Sequence, residues 1–257
     1  MICKDIFDAI TNKASAYKYS AMTYLDFEDC NNSEILHDGD DFILMQDKSK
    51  TPAILHFAAN DFEALVKAIA CLPGKLRMNF VPKEYAPHLS KIGFTQWAEF
   101  VDFWNNDIAK TVSQLNNVHV PEYLSADDCG EAYAISKRCE LQSRGYEGQS
   151  VEYFASWLEE HNVIIQRSGP AIAGYCCVSI YNEGTTLWVR DVGVDPKHQG
   201  KGLGKMLMQQ ALCYGVQNGA VKAFLAADIL NENAIGLFNK YGFFAKEVES
   251  ELQMVKR

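Results

Sequence analysis

At 257 residues the chain is long enough for one large domain or two modest ones, each with a sizeable buried core. Hydrophobic residues make up 48% and charged residues 22%, a globular balance that argues against disorder. The net charge of −9 is spread evenly, with 11 basic and 16 acidic side chains in residues 1–120 and 13 and 17 in 121–257, so a nucleic-acid partner, which wants a clustered basic face, is not expected.

In chain order, the pattern predicts a helix from Asp5 to about Tyr19, then short strands at MTYLDF (22–27), DFILMQ (41–46) and AILHFA (53–58). A helix FEALVKAIACL (62–72) is stopped by Pro73-Gly74. It is followed by strand KLRMNFV (75–81), helix KEYAPHLSKIGF (83–94) and an aromatic strand WAEFVDFW (97–104). The aromatics of that strand fit core packing or the lining of a cleft. Residues 105–121 are polar and asparagine-rich without periodicity, and read as a linker. The domains expected are therefore 1–115 and 116–257.

The second half opens with a short strand at 118–124 and a helix capped by Ala126-Asp127-Asp128 that runs to about Arg138. Gly145 and Gly148 mark a loop before the amphipathic helix SVEYFASWLEEH (150–161). Strands NVIIQRS (162–168), AIAGYCCVSIY (171–181) and TTLWVRDVGV (185–194) follow, then a glycine loop, a helix (203–219), a strand (221–229), a helix (231–242) and a last strand (246–255). In that last strand Glu247, Glu249 and Glu251 alternate with Lys246, Val248 and Ser250, which predicts one solvated face.

The halves share a trace of repetition. Ser90-Lys-Ile-Gly-Phe94 and Asn239-Lys-Tyr-Gly-Phe243 have three of five residues in common at an offset of 149. That offset sets the glycine loop against Thr51–Leu55, which has no glycine, so a first-half copy would lack the loop's function.

The eight cysteines contain no C-x-x-C pair and the six histidines are scattered, so no metal site is expected. Free thiols, the lack of an apolar leader and the shortness of the longest apolar run (171–181) point to a soluble, cytoplasmic protein without membrane attachment. Cys176-Cys177, mid-strand, reads as buried packing.

The loop Val194-Asp-Pro-Lys-His-Gln-Gly-Lys-Gly-Leu-Gly-Lys-Met206 concentrates glycine and lysine in an acidic chain. Consecutive N–H groups there can converge on an anion, and the helix that follows adds its positive end. An empty strand-to-helix turn is the competing reading. His198 fits either a phosphate contact or plain exposure. The spacing fits neither a P-loop, which needs G-x-x-x-x-G-K-[ST], nor a dinucleotide fingerprint, because Met206 stands where Gly or Ala is required.

Val194 to Gly204 resembles the V-x-P-x-x-[QR]-G-x-G-x-[GA] motif of the GCN5-related N-acetyltransferase (GNAT) superfamily. Asn231 to Phe243 resembles its second signature, N-x-x-A-x-x-[LF]-[YF]-x-x-x-G-F. The resemblance covers about residues 120–257, and the first half would be a degenerate copy known only by element order. It implies an α/β (α+β mixed-sheet) fold of two GNAT-like domains, each a mostly antiparallel twisted sheet flanked by helices. It also implies acetyl-CoA as acyl donor and a small-molecule, peptide or protein amine as acceptor. By that resemblance Gln199, Gly200, Lys201, Gly202, Leu203, Gly204 and Lys205 hold the pyrophosphate. Val192, Gly193 and Val194 offer a free strand edge to pantetheine, with Asn231 and Phe238 beside it.

Asp191, on the same strand, is the candidate for orienting or deprotonating the amine, with an ordinary ion pair as the alternative. Glu183 and Asp228 are lesser candidates. Phe238 occupies the position where the superfamily often has a tyrosine that protonates the thiolate. Tyr241, one turn on, is the remaining candidate donor, with core packing as the competing reading. The function expected is N-acetyl transfer. An acyl-CoA-binding regulator with little turnover is the alternative, and a generic nucleotide binder is disfavoured by the paired motifs.

Overall fold

In the computed structural model, residues 2–25, 27–116, 118–140 and 142–257 are described, with Glu28 and residues 246–249 described by backbone alone. The chain divides into two compact units: unit 1, Met1–Glu99 with Ser250–Arg257, and unit 2, Phe100–Glu249.

Unit 1 contains α1 (Lys4–Ala14), β1 (Tyr19–Ser20), a 3-10 turn at Ala21–Tyr24, α2 (Phe27–Cys30), β2 (Ser33–Asp38), β3 (Phe42–Asp47), β4 (Ala53–Ala59), α3 (Phe62–Ala70), β5 (Leu76–Pro82), α4 (Ala86–Ser90) and the first part of β6 (Thr95–Asn105). β2, β3 and β4 form an antiparallel meander. β4 then pairs in parallel with β5 over three positions only, Ala53↔Leu76 to Leu55↔Met78. Because β3 takes one edge of β4 along its length, β1 must lie on the other, beyond β5, through Tyr19↔Ala59 and Ser20↔Ala58. Alternate side chains supply two cores, one around Leu44, Leu55, Phe57, Leu65 and Met78, the other around Ile43, Met45, Ala58 and α1.

Unit 2 adds α5 (Ile108–Ser113), β7 (Glu122–Tyr123), α6 (Cys129–Cys139), α7 (Val151–Glu160), β8 (Asn162–Ser168), β9 (Ala171–Tyr181), β10 (Thr186–Val194), α8 (Leu203–Gln217), β11 (Lys222–Asp228), α9 (Glu232–Lys240) and the start of β12 (Phe244–Lys256). β7, β8, β9 and β10 run antiparallel to their neighbours, β10 pairs in parallel with β11, and β11 pairs antiparallel with residues 100–105 of β6. One face packs on α8, through Leu187, Val189, Leu207, Met208 and Leu225. The other packs on α6 and α7, through Ile135, Phe154, Trp157 and Tyr175. The mixed, mostly antiparallel sheets flanked by helices agree with the α/β class expected.

Several local expectations differ from what is found. MTYLDF was predicted as a strand, but Ala21–Tyr24 is a 3-10 turn followed by α2, and the strand lies at Ser33–Asp38, where two exposed hydrophobics, Ile35 and Leu36, obscure the alternation. Within the predicted linker, Asp107 caps α5 through Lys110 N (2.9 Å) and Ile108 is fully buried, which one short apolar position could not announce. Thr51–Leu55 leads into β4 and is not the counterpart of the glycine loop. The connection from β4 to α3 is Asn60-Asp61. The last strand returns residues 251–256 to β5, so unit 1 contains the far end of the sequence. The predicted solvated row at Glu247 and Glu249 lies outside the described side chains.

Candidate active site

β10 and β11 make three rungs, Thr186↔Lys222 to Trp188↔Phe224, and no further pairing is found between them among the described residues. From Val189 to Val194 the β11-facing edge of β10 is therefore open. Asp195 N donates to Ala173 O (2.9 Å), so alternation along the antiparallel pair with β9 turns Val192 and Val194 main-chain groups toward the gap. Val194 O is taken up by Gln199 Nε2 at 3.0 Å. Among the described residues no partner is found for the Val192 N–H and C=O or the Val194 N–H.

The glycine loop stands at the mouth of this gap. Asp195 is buried and starts the turn by accepting from Lys197 N (3.0 Å) and Arg138 Nη2 (2.8 Å). Gly200 and Gly202 have φ of +75° and +86°, which L side chains rarely adopt. A Cβ added at either meets nothing within 4 Å, so the hollow before them is open. α8 begins at Leu203, and its first turn leaves the N–H groups of Leu203, Gly204 and Lys205 without helical acceptors. Lys201 and Lys205 are exposed beside them, so unsatisfied N–H groups and positive side chains meet at this helix start.

Asp191 is placed by a bulge. The register steps from Val189↔Val178 to Asp191↔Cys177, so Arg190 is an extra residue. Before it Leu187 and Val189 face α8; after it Val192 and Val194 do, and Asp191 and Gly193 turn to the opposite face. There Asp191 Oδ2 accepts from Tyr146 Oη (2.8 Å) and Tyr175 Oη (2.9 Å). Burial pushes its carboxyl above the usual range, and the two phenols, Gln149 and Arg190 pull it back part of the way.

Tyr146 belongs to the connection between α6 and α7, and residues 142–149 form a strap across both splayed strands. Gln142 accepts from Gln199 of the loop (2.7 Å), Arg144 makes a two-point ion pair with Asp228 at the end of β11 (2.9 and 2.6 Å), and Tyr146 reaches β10. Asp228 is 2% exposed. Burial raises its carboxyl, but Arg144 and the Leu230 N–H more than offset this and leave it below the usual range.

Of the other expected residues, Asn231 caps α9 through Ala234 N (3.2 Å). Phe238 is 4% exposed and packs against Phe103 and Phe243. Tyr241 is 7% exposed in the same core, with Gln209 at its hydroxyl. Glu183 is exposed at a turn with φ +55°, His198 is half-buried, and Cys176 and Cys177 are fully buried. Among the described residues no group of three or more His, Cys, Asp or Glu is placed to hold a metal, and no helix is long and apolar enough to cross a membrane. Sequence reasoning missed Arg144, Tyr146 and Tyr175. The run Arg144-Gly-Tyr-Glu-Gly148 held a signal, an aromatic fixed between two glycines, whereas Tyr175 sits in an apolar run and reads as core.

Residues 130–243 match the model of the Acetyltransferase (GNAT) family. This part of the chain is a GNAT domain. A curated relative, the streptothricin acetyltransferase of Streptomyces lavendulae, is 32% identical over 81 residues, which is 32% of this chain and 43% of that protein, so the match spans less than half of the relative's length. Two solved structures share the fold over nearly the whole chain. A GCN5-related N-acetyltransferase from Kribbella flavida has a TM-score of 0.58 at 14% identity, with 96% of this chain and 95% of that one covered. An acetyltransferase of the GNAT family from Colwellia psychrerythraea has a TM-score of 0.58 at 9% identity, with 100% and 97% covered. The matched residues contain the open edge, the glycine loop and both anchors of the strap.

Proposed function

We propose that the GNAT domain transfers an acetyl group from acetyl-CoA to the primary amine of a small molecule, peptide or protein. The observation that carries this reading is the divergence of β10 from β11 after three rungs, with the glycine loop and the start of α8 at the mouth of the gap. Gly200 to Lys205 would hold the pyrophosphate and the Val192–Val194 edge the pantetheine. Bound there, acetyl-CoA supplies an activated thioester. The ammonium would lose one proton to water, the free amine would attack the acyl carbon, and as the carbon–sulfur bond breaks the nitrogen would release a second proton to water while the thiolate takes one up from solvent. A thiolate with a parent pKa of about 8.5 leaves without a strong general acid, which accommodates Phe238 and a Tyr241 that packs the core. Asp191 orients the amine.

Unit 1 fits a degenerate copy whose donor site is filled by its own groups. β4 and β5 repeat the three-rung parallel pair, but the edge of β4 beyond it is taken by β1, and the Tyr19 hydroxyl donates across to Phe80 O. The start of α3 is likewise taken, since the Asp61 carboxylate accepts from Glu63 N (2.9 Å) and Ala64 N (3.0 Å). One donor site per chain follows.

The test is thermal stabilisation by CoA together with thiol release from acetyl-CoA over a panel of amines. Stabilisation with turnover supports the transferase. Stabilisation without turnover on any amine supports an acyl-CoA-binding regulator, which the buried Phe238 leaves without a proton donor. Absence of stabilisation by CoA sinks both.

A further inference from the structure

At the end of unit 2 away from the glycine loop lies a cavity of about 790 Å³, lined wholly by residues of that unit. It opens where β6 ends, where α5 and β11 begin and where the chain leaves α9. Lys222, in its lining, starts β11, and Asp228, which anchors the strap, ends it, roughly 20 Å away at the rise of a strand. The hollow is therefore separate from the open edge of β10.

A buried asparagine fixes its floor. Asn105 is 3% exposed; its Nδ2 donates to Thr111 Oγ1 (2.8 Å) and to Tyr241 O (2.7 Å), and its Oδ1 accepts from Asp107 N (2.9 Å). One side chain thus ties the end of β6 to α5 and to the end of α9. Gly242, at φ +74°, lets the chain pass close by, since a Cβ there would stand 3.0 Å from Asn105 Nδ2 and 3.2 Å from Thr111 Oγ1. The hollow is formed before anything enters it.

Three lysines surround this floor, each from a different element: Lys110 of α5, Lys222 of β11 and Lys240 of α9. Asp107 is the one carboxylate in the lining among the described residues, and it already caps α5 by accepting from Lys110 N (2.9 Å). Among the described residues none of the three lysines makes an ion pair; Lys222 lies instead over the Trp104 ring, 5.5 Å from its centroid. The carbonyl end of a helix favours a cation, which accounts for Lys110 and Lys240 singly. It does not account for three ammonium groups around one hollow in a chain of net charge −9. Like charges gathered without partners repel, and an anion between them replaces that repulsion by attraction.

The rest of the lining narrows the anion. Lysines act as point charges, so three of them spread around a hollow suit the distributed charge of a phosphate chain. A single carboxylate is matched better by the planar fork of an arginine. Phe244 is 65% exposed in the wall and offers an apolar face to a flat ring. Asn106, Gln114 and Asn239, all exposed, carry amides that both donate and accept, as the edge of a nucleobase does. The volume lies within the range of about 300–1,000 Å³ typical of small-molecule pockets. We propose that this cavity is a ligand site in its own right, which binds a nucleoside di- or triphosphate with its phosphates among Lys110, Lys222 and Lys240 and its base against Phe244.

The test is calorimetry on the full-length protein in magnesium-free buffer, saturated with CoA so that nucleotide is kept out of the proposed donor gap. The probes are ATP, pyrophosphate and adenosine. Expected is one ATP per chain, with pyrophosphate weaker and adenosine weaker still. The Kd for ATP should rise about tenfold in Lys222→Gln and in Lys240→Gln, with CoA affinity unchanged in both. Phe244→Ala should weaken ATP and leave pyrophosphate as it was. No uptake of ATP by the CoA-saturated protein, ATP affinity unchanged in both lysine variants or in Phe244→Ala, or pyrophosphate as tight as ATP overturns the proposal. If the protein binds no CoA, the donor reading fails by itself; ATP binding weakened in the lysine variants then still upholds this site, and ATP binding unaltered in them overturns it.

Discussion

Gly193→Ala tests how tightly the buried phenol is held. A Cβ at position 193 would lie 2.7 Å from Cε1 of Tyr175, 2.9 Å from Cζ and 3.0 Å from Oη. Carbon contacts relax at about 3.5–4.0 Å, so the ring must retreat by about 1 Å. It has nowhere to go, since Tyr175 is fully buried against Phe154. Overpacking of this kind costs about 1–3 kcal/mol. A retreat of that size also breaks the 2.9 Å bond to Asp191, and a hydrogen bond to a charged group contributes about 1.5–3 kcal/mol. The sum, about 2.5–6 kcal/mol, is read as a fall in the urea midpoint at constant slope. In a Tyr175→Phe background the bond is already gone, so the same substitution should cost less by about the bond's share. A loss below about 1 kcal/mol, or strict additivity of the pair, refutes the argument.

Arg144→Ala leaves the Asp228 carboxylate buried without its two-point partner, which costs about 3 kcal/mol, and adding Asp228→Asn should recover most of it in chemical denaturation. Asp228 and Asp195 both have carboxyls held below the usual range, so the stability they contribute is present above the unfolded value of about 4 and lost as pH falls through their folded values. Acid unfolding curves should show that loss below about pH 4, with a shallower slope in Asp228→Asn. Gly202→Ala adds no clash but forces φ of +86° on an L residue at about 1–2 kcal/mol; calorimetry should find CoA affinity reduced. Asp61→Ala removes the α3 cap at about 0.5–2 kcal/mol and should leave CoA stoichiometry at one per chain, a second site being the refuting result.

The loop proposed to hold the donor was legible as a geometry because it is written in contiguous backbone: glycines at positive φ, a helix start, and a second motif a fixed distance on. The arrangement around Asp191 was not, because it is assembled by a bulge and a strap. One extra residue, Arg190, decides which face Asp191 takes, and nothing in TTLWVRDVGV marks it as extra. Tyr146 and Tyr175 are 29 residues apart and meet on one carboxylate oxygen. Arg144 finds Asp228 across 84 residues. The long strands and helices of unit 2 followed from periodicity, while the short elements, α5, β1 and β2, are held by caps and by pairing with distant strands, which local pattern does not encode.

The return of residues 251–256 to β5 also sets an order for making the protein. Leu252 and Met254 are buried in the core of unit 1, whose other members come from the first hundred residues. As the chain leaves the ribosome, unit 1 emerges first but lacks those side chains, and one edge of β5 lacks this partner, until all of unit 2 has been synthesised. The earlier unit is the later one to be completed. A nascent chain stalled before residue 250 would carry a finished unit 2 and a unit 1 with an open edge, the kind of edge that invites mispairing with a neighbour.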